Sequence, residues 1–125
     1  MRRFAFILLL GFPLQTLACG VCIDDKVASC YDHAVVTQAK ARGHEVAFFA
    51  IDGSLPHSAE VRAQVLSAVQ GTPGVQRGTA RVSLESAALS FAYDPRRARQ
   101  SLIVSGIEKK LYARGLSLRF LRAMP

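Results

Sequence analysis

The chain has 125 residues, 50% of them hydrophobic, with 16 Lys+Arg against 9 Asp+Glu for a formal charge of +7, three Cys and no Trp. One domain accounts for that length, and the apolar fraction is too high for a disordered chain. The charges are spread, which excludes long acidic or basic tails, and no phosphate-cradling glycine loop or Ser/His/Asp pattern points to an enzyme.

Met1-Arg2-Arg3 is a short cationic start, Phe4 to Leu14 an apolar run, and Gln15-Thr16-Leu17-Ala18 ends in a small residue before Cys19. This is the layout of a secretory signal peptide over residues 1–18. The run is shorter than the roughly 20 apolar residues a membrane span needs. Taking away eighteen residues and two arginines leaves 107 residues and a formal +5 in an exported, periplasmic protein. Cys19 then opens the mature chain, as a lipid-bearing Cys does in a bacterial lipoprotein, although Thr16 and Leu17 fit that signal poorly. A lipidated Cys19 would attach the protein to the membrane and could not also be a ligand.

Residues 19–43 form a Cys-bearing segment with a helix. From Ile23 to Arg42 no Gly or Pro interrupts the chain, and Val27, Tyr31, Ala34, Val35 and Gln38 recur at three- and four-residue spacing. A helix opened by Asp24-Asp25 and closed by Arg42-Gly43 is expected. His44 to Asp52 is apolar on both faces, Val46, Phe48 and Ala50 on one and Ala47, Phe49 and Ile51 on the other, so a central strand covered on both sides is expected.

Ser58 caps a second helix carrying Val61, Val65, Ala68 and Val69 inward, which stops at Gly71-Thr72-Pro73-Gly74. Gly78–Leu84 and Ala87–Tyr93 alternate as a hairpin. Asp94-Pro95 is read as the start of a third helix, with Leu102, Ile103, Ile107 and Leu111 inward, Gly106 at a close contact and Gly115 as stop. Leu116 to Leu121 is the last strand. Over residues 44–125 the order is strand, helix, strand, strand, helix, strand, the α+β, ferredoxin-like βαββαβ sandwich, here with an additional N-terminal helix.

Thr72-Pro73-Gly74-Val75 and Ser86-Ala87-Ala88-Leu89-Ser90-Phe91-Ala92-Tyr93-Asp94-Pro95 carry a resemblance to the heavy-metal-associated domain family. The likeness implies a ferredoxin-like fold, soft-metal handling and a metal-transport or metal-receiving partner. Members place a CxxC between the first strand and first helix, where this chain has Asp52-Gly53-Ser54-Leu55-Pro56-His57-Ser58 and no Cys. Its thiols stand elsewhere, at Cys19 and Cys22 in a CxxC and at Cys30, three residues before His33.

Thiolates at CxxC spacing can converge on Cu(I) or Zn(II), and a helix N-terminus favours the thiolate. The expected metal residues are therefore Cys19 and Cys22, with Cys30 and His33 as further ligands. On one straight helix, though, Cys22 and Cys30 would stand about 12 Å apart, so the four-ligand site or a Cys22–Cys30 disulfide needs a break between them. Cys30 alone is more simply a small buried residue. His57 falls in the loop where the related domains hold metal.

Three functions follow: a small exported metal-binding protein, a thiol–disulfide protein using the same CxxC, or a non-catalytic interaction module whose ancestral site is lost. None is an enzyme of the hydrolytic or phosphoryl-transfer kind. A nucleic-acid partner is excluded, since RNA-binding sheets of this plan need exposed aromatics and Phe48, Phe49 and Phe91 are expected inside. The Arg96-Arg97-Arg99 cluster is read as a solvated surface or an attraction for anionic headgroups.

Overall fold

The computed structural model describes the chain from Ala18 onward, and its side chains from Ile23. The proposed signal peptide thus lies outside the described residues but for Ala18. The elements are α1 (Ala18–Cys30), α2 (His33–Ala41), β1 (Glu45–Asp52), α3 (Ala59–Gln70), β2 (Arg81–Ser83), β3 (Ala88–Tyr93), α4 (Gln100–Leu111) and β4 (Ser117–Met124). The strands form one antiparallel sheet in the order β2-β3-β1-β4. With α3 and α4 on one face, this is the expected ferredoxin-like plan.

β1 is buried from Val46 to Ile51 because it divides two cores. Ala47, Phe49 and Ile51 meet α3 and α4 through Val65, Val69, Ile103 and Ile107. Phe49 stacks on Phe91 with centroids 5.5 Å apart and meets Phe120 edge-on at 5.8 Å. On the opposite face Val46 and Phe48 pack with Val27, Cys30, Val35 and Ala39 of α1 and α2. The added N-terminal layer covers the second face of the sheet, as the two-sided apolar pattern requires.

That layer is two helices rather than the expected one. The chain turns at Tyr31-Asp32, and Asp32 caps α2 by accepting from the backbone N–H groups of Ala34 at 2.9 Å and Val35 at 3.4 Å. Its other carboxylate oxygen takes both the Nε and Nη2 of Arg81, at 3.1 and 3.0 Å. The Arg81 hydrogen bonds, then the Val35 N–H, hold the Asp32 carboxyl below its usual range. This contribution to stability is present above the ordinary carboxylate pKa and is lost as pH falls through the lowered one. α1 also begins at Ala18 rather than at Asp24-Asp25. Lys26 donates to the carbonyls of Ser86 and Ala87 in the β2–β3 turn, and Arg122 of β4 reaches Asp24 at 2.9 Å, so α1 is tied across the sheet.

α3 follows the sequence: the Ser58 Oγ accepts from the Val61 N–H at 3.1 Å, and Gly71 closes the helix. α4 does not. Asp94-Pro95 makes a separate turn in which the Asp94 carbonyl accepts from Arg97 and Ala98 at 3.0 Å and its side chain from Arg96 at 3.0 Å. The Arg96 backbone N–H holds the Asp94 carboxyl low. The chain then passes through extended Arg99, and α4 starts at Gln100. Ile103, Ile107 and Leu111 remain inward, but Leu102 is 68% exposed. Gly106 does sit at a close contact, since a Cβ there would lie 2.9 Å from Thr72 Cγ2. Tyr93, buried beside Glu45 with its hydroxyl 2.8 Å from that carboxylate, has its pKa pushed up to about 12 by burial and then by Glu45.

Candidate functional site

The fold puts the β1–α3 loop, the β2–β3 turn and the α4–β4 connection at one end of the sheet. Gly53 opens the first of these with φ +122°, and a Cβ there would lie 2.6 Å from the Gly115 carbonyl oxygen. Asp52 is paired with Arg119 at 3.3 Å. The loop is thus packed against its neighbours, and it presents His57 and Ser58 beside Ser29, Arg62 and Glu85 without a thiolate. Here it can offer one imidazole.

Cys30 ends α1, is 3% exposed, and is held in the second core among Val27, Val35, Ala39 and Phe48. Its carbonyl accepts from the buried Ser90 Oγ at 3.1 Å. Burial pushes its thiol pKa up, against smaller opposing effects of Ser29 and the Ser83 backbone. A thiol that is neutral and shielded is a poor ligand and a poor nucleophile. Cys30 is thus a small residue packed into the second core.

His33 opens α2 and is exposed. Its Nδ1 lies 3.1 Å from the Tyr31 hydroxyl and its Nε2 3.4 Å from Thr37 Oγ1, so both ring nitrogens face hydroxyl partners. The turn at Tyr31-Asp32 places Cys30 and His33 on different helices, not on one helical face as the sequence spacing implied. Among the described residues no group of three His, Cys, Asp or Glu side chains is arranged to hold a metal.

Cys19 and Cys22 occupy the first turns of α1, three residues apart, and their side chains lie outside the described residues. The backbone is helical without a break from there to Cys30. Eight residues of helix separate the Cα atoms of Cys22 and Cys30 by about 12 Å, beyond the ~7 Å limit for a disulfide. The break that would have brought Cys30 toward the CxxC falls one residue after it.

A groove of about 840 Å³ that no sequence motif announces lies at the opposite end of the sheet, between the Thr72–Gln76 loop and the N-terminal turn of α4. Its signal was Leu102, which the helical spacing assigned to the core although it stands one position off the Ile103, Ile107, Leu111 line. No helix among the described residues is long and apolar enough to cross a membrane.

No protein-family model matches the sequence. No curated protein matches it either. Solved structures do. A crystal structure of a copper binding domain from HMA7, a P-type ATPase, superposes with a TM-score of 0.51 at 20% identity, covering 63% of this chain and 96% of that one. A solution structure of "the putative copper-ion-binding protein from Bacillus anthracis str. Ames" gives a TM-score of 0.48 at 18% identity, covering 61% and 96%. At these identities the first likeness establishes the fold, and the second carries no weight.

Proposed function

We propose that this chain is an exported metal-handling protein of heavy-metal-associated type that carries Cu(I) on Cys19 and Cys22. The observation that supports the reading is the joining of two things: a fold shared with a copper binding domain, and a CxxC at the N-terminus of α1 in a chain whose β1–α3 loop has no thiol. Positions 19 and 22 are one helical turn apart, and residues at that spacing have Cβ atoms about 5–6 Å apart, within reach of one ion. The positive end of the helix, in whose first turn Cys19 stands, favours the thiolate there.

Two thiolates suit Cu(I) better than Zn(II), which in structural sites is closed by four ligands. Cys30 and His33 are left out of this site, the first because it is buried, the second because its nitrogens have partners of their own. The ion is cargo, passed to a metal-receiving protein by thiolate exchange. A non-catalytic interaction module is the second reading, favoured by the thiol-free loop.

Cu(I) titration of the reduced protein against a chromophoric chelator is expected to show one ion per chain. Cys22→Ser is expected to abolish this stoichiometric binding, while Cys30→Ala and His33→Ala leave it unchanged. A titration with no ion bound sinks the metal reading and leaves the thiol–disulfide protein and the interaction module. Export has its own check. The intact mass of the protein from its native host is expected to correspond to residues 19–125 without lipid. A diacylglycerol on Cys19 would remove that residue as a ligand and make the protein membrane-anchored.

A further inference from the structure

The groove between the Thr72–Gln76 loop and α4 lies at the end of the sheet away from the β1–α3 loop, and the metal reading gives it no task. Its floor is rigid. A Cβ on Gly74 would stand 2.9 Å from Ile103 Cγ1, and one on Gly106 2.9 Å from Thr72 Cγ2, so loop and helix are already in close contact beneath it. Val75 and Ile103 make the floor apolar, and Leu102, 68% exposed, stands as its wall. An exposed leucine over an apolar cleft marks a place where another surface can be buried.

The rim is cationic. Arg97 and Arg99 line the groove, and through Gln76 it adjoins a smaller cavity lined by Arg42 and Arg77. Among the described residues Arg42, Arg77 and Arg99 have no carboxylate partner. The one acid in the groove, Asp94, is shared between Arg96 at 3.2 Å and Arg97 at 3.7 Å, with His44 at 3.8 Å. Positive charge therefore remains in excess around an apolar cleft, which selects a complementary negative partner.

We propose that this groove docks an acidic, amphipathic segment of a partner protein, its apolar side chains lying against Leu102 and Val75 and its carboxylates against Arg97 and Arg99. The cleft is concave and matches an inserted side chain better than the plane of a bilayer. The apolar run Phe4–Leu14 of this chain is a poorer occupant, because Arg2 and Arg3 would add like charge to the rim. Docking here leaves the N-terminus of α1 out of the contact and does not depend on the metal reading.

The probe is a short fluorescein-labelled helical peptide with leucines at i, i+3, i+4 and i+7 and glutamates between them, titrated with the full chain by fluorescence anisotropy. Saturable binding is expected, about tenfold or more tighter than for the same peptide with lysine in place of glutamate, and weakened by rising salt. Arg99→Glu and Leu102→Glu, both at exposed positions, are each expected to weaken it about tenfold or more with the circular dichroism spectrum unchanged. Arg114→Glu, remote from the groove, serves as a charge control and is expected to have little effect. The proposal is overturned by no saturable binding, by equal binding of the lysine peptide, or by groove variants that bind as the parent does. Phosphatidylglycerol vesicles or a synthetic peptide of residues 1–17 binding more tightly than the acidic peptide, and losing that binding in Leu102→Glu, would overturn it in favour of a lipid surface or the chain's own leader.

Discussion

Phe49→Ala is expected to lower the unfolding free energy by about 3–5 kcal/mol, the usual range for removing a buried aromatic ring. The ring is 1% exposed, stacks on Phe91 and meets Phe120, and lies in the core that α3 and α4 close. A domain of this size has about 5–15 kcal/mol of stability in all, so the variant should unfold at a much lower urea concentration. Phe49→Leu, which keeps most of the volume, should cost less than half as much. An equilibrium urea titration that found Phe49→Ala within about 1 kcal/mol of the parent would contradict the placement of β1 between two cores.

Gly53→Ala is expected to cost about 3 kcal/mol through backbone strain and collision together. At φ +122° the residue occupies a region that L side chains rarely adopt, and its Cβ would stand 2.6 Å from the Gly115 carbonyl oxygen and 3.0 Å from Leu116 Cδ2. A main-chain carbonyl cannot swing aside as a side chain can. Gly78→Ala separates the two contributions. Gly78 also has positive φ, +76°, but a Cβ there meets nothing within 4 Å, so only conformational strain of about 1 kcal/mol applies. Urea titrations should therefore place Gly78→Ala well above Gly53→Ala in stability; equal losses would mean that the Gly115 carbonyl gives way.

Most of the fold was legible because β1 declares both of its neighbours. The unbroken apolar run Val46–Ile51 announced a strand with apolar faces on both sides, and a six-element βαββαβ order left only the N-terminal segment to cover the second face. The break at Tyr31-Asp32 was not legible in the same way. No Gly or Pro marks it, and Asp32 acts there partly through Arg81, 49 residues later in the chain. Asp94-Pro95 misled for the opposite reason: its capping chemistry is real, but the Asp94 side chain and carbonyl close a local turn before α4 begins. Of the expected metal residues, spacing alone paired Cys30 with His33. The helix boundary that separates them depends on tertiary contacts that spacing does not record.

The cover that α1 and α2 place over the sheet also determines how the molecule can be cut. Val46, Phe48, Ala88 and Ala92 belong to a core whose other half is Val27, Cys30, Val35 and Ala39, all upstream of the first strand. Excising the βαββαβ portion as a minimal fragment would turn that half-core into a broad greasy surface, the kind that drives self-association. The N-terminal helices are thus part of what keeps the remainder dispersed in water. In this chain the packed core thus begins with α1, well before the ferredoxin-like plan does.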